Sequence, residues 1–292
     1  MSSVALPIAR GKPYWRLAQI IGVVLSLALL VGLVVAPKLW LHVLWDMVIP
    51  ILPAVFLINP LIWRNVCPLA TVNEFTGSPA TRSAMSPQLM KNGWILGMAL
   101  LFVLVPARRF LFNENGVALA LTIAIVIALA AIGGLIFARR AGFCGSICPV
   151  LPVEKLYGQL PLADMRGARC DTCSVCTPVG CIDLAGLKTV AQTVGPERRD
   201  TAWIRTSFGA FAALFPGFVI GYFTAENGPL TSAPAVYLRV FVCALGSYAV
   251  VAAAVAVFRL KATPTLRVLG ATAFVIYYWF ALPVLVRSYS GG

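Results

Sequence analysis

Seven of the eight cysteines of this chain lie in two polar stretches, and four of the seven form a compact group. That group has the spacing Cys-x-x-Cys-x-x-Cys-x4-Cys and consists of Cys170, Cys173, Cys176 and Cys181. Thiolates at steps of three residues can wind around the corners of an iron–sulfur cube, while the amides between them face its sulfides. A structural zinc site instead uses two separated Cys-x-x-Cys pairs, and no histidine lies near this group. The spacing therefore predicts a [4Fe–4S] cluster.

Three further thiols lie upstream of this group. Cys144 and Cys148 are four residues apart, and both Cys148 and Cys67 are followed by proline. In two-cluster ferredoxins the ligand that serves the other cluster precedes a proline, whereas Cys181 precedes an isoleucine. The fourth ligand of the first cluster is therefore either Cys181 or Cys148. The sequence favours this one cluster; Cys67, Cys144 and Cys148 could form a second metal site, with its remaining ligand supplied by a non-cysteine group or by a partner protein.

The same upstream thiols also allow other interpretations. Cys144 and Cys148 could form a redox-active dithiol, which would make the chain a membrane thiol reductase or metal reductase. The glycine between them and the proline after them favour a turn over a continued helix. Cys67 could equally well be a metal ligand or a buried thiol without a metal. Cys243 lies inside an apolar run, and we predict that it is a small buried side chain.

The chain that carries these thiols is too apolar for a water-soluble protein, with 60% hydrophobic residues and a mean hydropathy of +0.89. Its uncharged runs have the ~20 residues that cross a hydrocarbon core. We predict an all-α polytopic membrane protein with seven spans, near residues 17–36, 41–63, 93–105, 117–138, 208–224, 236–258 and 268–286. The second span contains an aspartate and three prolines, so we expect it to be kinked or broken, with its freed carbonyls bonded inside the protein.

The spans divide the chain into three parts. Residues 1–138 hold the first four transmembrane helices and a cytoplasmic Cys-Pro loop at 64–92. Residues 139–205 form a ferredoxin-like iron–sulfur insert, and residues 206–292 hold the last three transmembrane helices. Arg108 and Arg109 are predicted to lie in a short connector between spans three and four.

The lysines and arginines predict the orientation of these parts. In a seven-span chain, 18 of the 23 basic residues fall on the side of the N-terminus and the cysteine insert. Cytoplasmic loops carry such an excess, so we predict a bacterial inner-membrane protein with the insert in the cytoplasm and the C-terminus in the periplasm. Thiols stay reduced in the cytoplasm, which favours metal ligation over disulfides. The net charge of +13 follows from basic residues flanking spans and does not indicate nucleic-acid binding.

The stretch Cys144-Gly-Ser-Ile-Cys148-Pro after a span, with a Cys-x-x-Cys-x-x-Cys box before the next span, resembles the membrane-bound ferredoxin-type proteins typified by NapH, MauN, NosR and CcoG. In that family the Cys-x-x-x-Cys-Pro motif usually occurs twice, with two ferredoxin boxes. This chain has Trp63 where the first cysteine of the other motif would stand, and only one box. The resemblance implies electron transfer at the inner membrane, from the quinol pool or a cytoplasmic reductant to a respiratory or metal-reducing partner.

We therefore expect an electron-transfer subunit of a larger redox complex rather than a stand-alone enzyme, and we assign no catalytic side chain. The alternative function is that of a non-catalytic assembly or scaffold subunit, in which the cluster only stabilises the fold. His42, the one histidine, and Asp46 lie one helical turn apart in the second span. They could accept protons from a quinol, which makes quinone a candidate cofactor, or they could simply be hydrated at the membrane interface.

Overall fold

The computed structural model describes residues 13–76, 86–137, 142–159, 161–163 and 201–290. Within these ranges the chain is helical and contains no β-strand. The α-helices described are α1 (Pro13–Val35), α2 (Pro37–His42), α3 (Leu52–Ile58), α4 (Pro60–Val66), α5 (Pro68–Phe75), α6 (Pro87–Ala107), α7 (Gly116–Ile136), α8 (Leu151–Tyr157), α9 (Ser207–Thr224), α10 (Ala233–Phe258) and α11 (Ala262–Ser290).

Seven helical stretches of the described chain are long and apolar enough to cross a membrane. They are Trp15–Val35, Pro37–Ile58, Asn92–Phe112, Gly116–Ile136, Ser207–Thr224, Leu230–Phe258 and Ala262–Ser290. The predicted all-α fold with seven spans is therefore confirmed, and the chain is a multi-pass membrane protein. The predicted ferredoxin-like insert falls mainly on residues outside the described ranges.

The second span is irregular, as its prolines predict. A π-helical turn (Val43–Val48) and a short 3-10 turn (Ile49–Ile51) separate α2 from α3. The hydroxyl of Tyr278, from α11, donates to the carbonyl of Pro50 at 2.8 Å and accepts from the amide of Ala54 at 3.1 Å. These are the two backbone groups that an ordinary i to i−4 hydrogen bond would join. A side chain of the last helix thus satisfies the backbone where the second span is distorted.

The end of this span is a true break at Asn59, whose backbone is extended. The Asn59 side chain accepts from the amide of Leu61 at 2.8 Å and donates to the carbonyl of Ala163 at 2.9 Å. The amides of Leu162 and Ala163 in turn donate to the last carbonyls of α3, at 3.0 Å each. A short segment that follows α8 therefore replaces the helical hydrogen bonds lost at the break.

The structure corrects two boundaries. The stretch at 64–92 predicted as a loop contains the end of α4, all of α5 and the start of α6. The predicted connector at Arg108 and Arg109 is instead a π-helical turn, Arg108–Phe112, that continues the third span. Arg109 donates to the carbonyls of Tyr222 at 3.1 Å and Phe223 at 3.5 Å, near the C-terminus of α9. A cation at this position complements the negative end of the helix dipole. Hydropathy alone does not reveal this contact.

The core of the bundle is built around α9. Buried residues make up 67% of its span, against 11–28% for the other six spans. Phenylalanines along one side of α9 pack on each other, and Phe102 of α6 lies 4.6 Å from Phe218 between ring centroids. The helix α9 is therefore the most enclosed span and packs chiefly against α10 and α11, with α6 on another side. Spans one, two and four pack on each other in a second cluster.

Candidate metal centre

Cys67 stands at the start of a short helix because a proline follows it, and Cys148 lies a few residues before another short helix. Cys67 is the N-cap residue of α5, and Pro68 occupies the first helical position. Cys148 is followed by Pro149 and, two residues later, by α8. Proline has a fixed φ angle and no amide donor, so it is well tolerated in a first helical turn. The partial positive charge of a helix N-terminus favours a thiolate at such a position.

Cys144 lies in a tight turn at residues 142–148, as the sequence predicts. The amides of Ser146 and Cys148 both donate to the carbonyl of Phe143, at 3.2 and 3.1 Å. The Ser146 hydroxyl donates to the carbonyl of Gly142 at 2.8 Å. These bonds close the turn on itself and hold Cys144 and Cys148 in one compact loop.

The turn is pressed against two transmembrane helices at points that only glycine allows. A Cβ atom on Gly142 would lie 2.2 Å from the carbonyl oxygen of Gly133 in α7. A Cβ on Gly97 in α6 would lie 3.0 Å from the carbonyl oxygen of Ile147. The cysteine turn is therefore fixed by backbone-to-backbone packing near the middle of α6 and near the C-terminal end of α7.

This packing brings the two Cys-Pro segments together. Cys67 and Cys144 are buried in one cluster with Phe143 and with Ala130 of α7, and Cys148 packs against the same cluster. All three thiols are free of disulfides. Asn73 of α5 supports the cluster by donating to the carbonyl of Ala130 at 2.7 Å. Three cysteines from distant parts of the sequence thus share one buried site at the end of the bundle.

The environment of Cys148 has features of a ligand site. Burial, followed by the effect of the neighbouring Cys67 thiol, raises the pKa of Cys148 to about 12. Hydrogen bonds from the backbone amides of Val150 and Leu151 act in the opposite direction and favour the thiolate. Amides directed at sulfur are a recurrent feature of iron–sulfur sites. Without a metal the thiol is therefore held protonated, and metal binding would release its proton.

Charged side chains that the sequence analysis did not single out border the thiols. Arg64 of α4 and Glu154 of α8 form an ion pair at 2.5 Å between Nε and Oε1, with exposed side-chain fractions of only 5% and 6%. The Glu154 charge contributes to the raised pKa of Cys148, so the pair lies next to the thiol site. Lys155 lies beside Glu154, and its ammonium lies over the ring of Trp94. The sequence could have pointed to Arg64 and Glu154, because each lies within a few residues of a Cys-Pro pair.

The predicted first cluster lies outside the described residues, because Cys170, Cys173, Cys176 and Cys181 fall in the stretch 164–200. Among the residues that the structure does describe, no three histidine, cysteine or acidic side chains are close enough to hold a single metal ion. A cube binds each thiolate through a different iron, so its ligands stand further apart than those of one ion. The backbone amides that donate to Cys148 and the buried guanidinium of Arg64 suit the negative charge of such a cluster.

The predicted His42–Asp46 pair forms at the opposite end of the bundle. His42 Nδ1 and Asp46 Oδ2 are 2.8 Å apart, and the His42 side chain is 48% exposed. Asp46 also accepts from Arg108 at 3.4 Å, and the guanidinium of Arg108 lies over Trp45. These residues line an open cavity of about 470 Å³. The pair is far along the bundle from the thiols, and Cys243, which is half-buried in α10, is not part of either site.

No protein-family model, curated protein or solved structure matches this chain. The resemblance to membrane-bound ferredoxin-type proteins therefore rests on the Cys-x-x-x-Cys-Pro turn and the single cysteine box. Function has to be inferred from these residues and from the geometry around the thiols.

Proposed function

We propose that this protein is an inner-membrane electron-transfer protein that carries at least one [4Fe–4S] cluster. It would relay electrons between a cytoplasmic or quinol donor and a partner redox complex. When bound, the cluster supplies a one-electron carrier, and the chain supplies thiolates, amide hydrogen bonds and a membrane anchor. The cysteine box at Cys170, Cys173, Cys176 and Cys181 would hold the first cluster.

The observation that carries the proposal is the convergence of Cys67, Cys144 and Cys148. The two Cys-Pro segments are far apart in the sequence, and incidental burial of small side chains does not explain why their thiols share one cluster. The arrangement instead suits a second set of ligands, completed by a thiol of the box or by a partner. The basic residues on this side of the spans support a cytoplasmic location for the site, where a reduced donor is available.

A thiol reductase that acts through Cys144 and Cys148 is less well supported. An attacking cysteine needs a lowered pKa so that its thiolate is populated near neutral pH. The pKa of Cys148 is raised to about 12, mainly by burial. This environment disfavours Cys148 as the attacking thiolate and suits a metal ligand, whose proton is displaced by the metal.

Iron and sulfide content tests the proposal. The full chain, purified anaerobically in detergent, is expected to contain about four irons and four sulfides per cluster. Cys173→Ser should remove the iron of the box, and Cys67→Ser should remove the iron of the second set. Cys243→Ser is the matched control because this thiol lies within α10, away from both Cys-Pro segments, and it should retain all the iron.

The outcomes separate the alternatives. Fewer than about three irons per wild-type chain would contradict the proposal. Iron that is present but unaffected by Cys67→Ser and Cys148→Ser would confine the cluster to the box and remove the second set. A cluster that resists both dithionite and ferricyanide in an EPR-monitored titration would favour the scaffold role over electron transfer.

A further inference from the structure

The short loop that joins α10 to α11 borders an open cavity of about 440 Å³. The exposed side chains of Arg259 and Lys261 line this cavity, and no acidic residue belongs to the described residues around it. The rest of the lining is apolar apart from one threonine and consists of Phe258, Leu260, Pro264, Thr265 and Val268. The cavity therefore combines two positive charges with an apolar wall.

Arg259 has a backbone conformation that is unusual for an arginine. Its φ and ψ angles are 48° and 50°, in the left-handed region, and no other non-glycine residue of the described chain has a positive φ. Glycine is the usual residue in this conformation directly after a helix, because a Cβ atom crowds the following carbonyl oxygen. An arginine thus stands where glycine would be less strained, which indicates a use for its side chain.

The protein does not balance these two charges. The sequence contains no aspartate or glutamate after Glu226, so nearby positions in the chain supply no carboxylate. Among the residues with described positions, neither Arg259 nor Lys261 takes part in an ion pair. A ligand with a negative charge would therefore meet two cations that are not already neutralised.

The backbone of the loop is fixed while its cationic side chains stay exposed. The indole of the buried Trp203 donates to the carbonyl of Leu260 at 3.0 Å. The hydroxyl of Thr265 donates to the carbonyl of Lys261 at 2.8 Å. These two bonds hold the residues on both sides of the cations, so the charges remain next to the cavity.

The apolar wall indicates what kind of anion fits. The cavity lies between the end of the sixth span and the start of the seventh, where hydrocarbon meets the polar headgroups. Phe258 and Val268 on its wall are 72% and 62% exposed. A small anion would bind the cations and leave this wall uncovered, whereas a lipid would cover it with an acyl chain. Basic pockets between transmembrane helices bind the headgroups of anionic lipids.

We propose that this cavity binds one anionic phospholipid, whose phosphate contacts Arg259 and Lys261 and whose acyl chain lies along Phe258 and Val268. Basic residues at the ends of spans attract anionic lipids in general. Here they line a formed cavity, and one of them has a strained backbone, so the site is discrete. The inference goes beyond the proposed function and does not depend on an iron–sulfur cluster.

The first test is native mass spectrometry of the delipidated full chain in detergent. Phosphatidylglycerol and phosphatidylcholine with the same acyl chains are titrated in turn, and one phosphatidylglycerol is expected to bind about tenfold more tightly. The double variant Arg259→Gln/Lys261→Gln should weaken phosphatidylglycerol binding about thirtyfold, because each basic residue contributes about fivefold. Arg287→Gln removes an exposed arginine from the other end of α11 and is the matched control, with no expected change in affinity.

The second test uses the strained backbone of Arg259. In lipid-free detergent, Arg259→Gly relieves the left-handed strain and is expected to raise the melting temperature. Phosphatidylglycerol should raise the melting temperature of the wild type through binding to the folded state, and it should raise that of Arg259→Gly much less. A lipid-free Arg259→Gly protein that melts below the wild type would overturn the role of Arg259, since the arginine would then support the fold itself.

Further outcomes would also overturn the proposal. Equal binding of phosphatidylglycerol and phosphatidylcholine, or an equal loss of affinity in Arg287→Gln, would show a diffuse attraction and no site. Displacement of the lipid by millimolar inorganic phosphate would show a phosphate site and no lipid site. The iron content of Arg259→Gln/Lys261→Gln should equal that of the wild type, so failure of this inference leaves the proposed function unaffected.

Discussion

The prolines after Cys67 and Cys148 show how much a single residue can determine locally. Pro68 permits α5 to start and leaves Cys67 as its N-cap residue, whereas Pro149 lies just before α8, which begins at Leu151. This effect depends only on neighbours in the chain, so it is visible in the sequence. The pKa of Cys148 is different, because burial and a thiol from another segment determine it.

Alkylation of Cys148 in the metal-free protein should be slow. With its pKa raised from 9.0 to about 12, the thiolate is scarce at pH 8. We expect alkylation by iodoacetamide about a thousandfold slower than in the urea-unfolded chain, rising about tenfold per pH unit up to the pKa. Because the folded pKa is the higher one, the protonated thiol stabilises the fold below pH ~9, and this contribution is lost toward pH ~12. Peptide mass spectrometry measures the rate, and equal rates in the folded and unfolded protein would contradict the prediction.

The ion pair between Arg64 and Glu154 should be sensitive to the loss of one partner. Glu154→Gln leaves the buried guanidinium without its carboxylate, and we expect it to lower the free energy of unfolding by about 3–5 kcal/mol. Equilibrium unfolding in mixed micelles measures the change. Glu114→Gln, at an exposed position, is the control and should have little effect. The double variant Arg64→Met/Glu154→Met should recover most of the loss, and a double variant as unstable as Glu154→Gln would argue against this explanation.

At the scale of elements, the second span is the most informative helix. Its prolines predict irregularity, and the structure contains a π-helical turn, a 3-10 turn and a break at Asn59. The groups that repair these defects come from elsewhere, namely the Tyr278 hydroxyl of α11 and the backbone of residues 162 and 163. In a membrane each unsatisfied backbone group is costly, so such repairs tie the span to specific neighbours.

Removal of the Tyr278 hydroxyl should therefore destabilise the bundle. Tyr278→Phe leaves the carbonyl of Pro50 and the amide of Ala54 without this partner, at an expected cost of about 1–3 kcal/mol. Thermal unfolding in detergent measures the effect. Tyr289→Phe removes a hydroxyl from the same helix at a side chain that is 57% exposed, and it should be neutral. Two variants of equal stability would mean that the hydroxyl does not support the second span.

At the scale of the whole molecule, seven spans place the two ends of the chain on opposite sides of the membrane. The segments predicted on the side of the thiols contain most of the basic residues of the sequence, and on that ground we propose that this side is cytoplasmic. In the orientation that we propose, the end with the His42–Asp46 pair faces the periplasm. A quinol bound there would be separated from the thiols by the length of the spans, so the two sites are expected to act independently.

Reporter fusions test this orientation. Alkaline phosphatase fused after Asn113 or after Ser290 should be active, because both points follow an odd number of spans and lie outside. A fusion after Arg259 follows the sixth span and should be inactive. Green fluorescent protein fused at the same three points should give the inverse pattern. Activity after Arg259 with none after Ser290 would reverse the orientation and place the thiols in the periplasm.

Sequence alone determined the number of spans, the irregularity of the second one and the turn at Cys144 and Cys148. These features depend on hydropathy over ~20 residues and on proline and glycine chemistry, which are local. It did not predict that α5 is helical, because a short polar helix lacks a hydropathy signal.

Only the tertiary structure decided which distant groups meet. Cys67 joins Cys144 and Cys148 because glycines of α6 and α7 let the cysteine turn approach their backbones. The pairing of Arg64 with Glu154, and the position of Lys155 beside them, depend on how α4 and α8 face each other. The rotation and packing of helices arise from many non-local contacts at once. The spacing of residues along the chain shows only which residues could form a site, and not which of them meet.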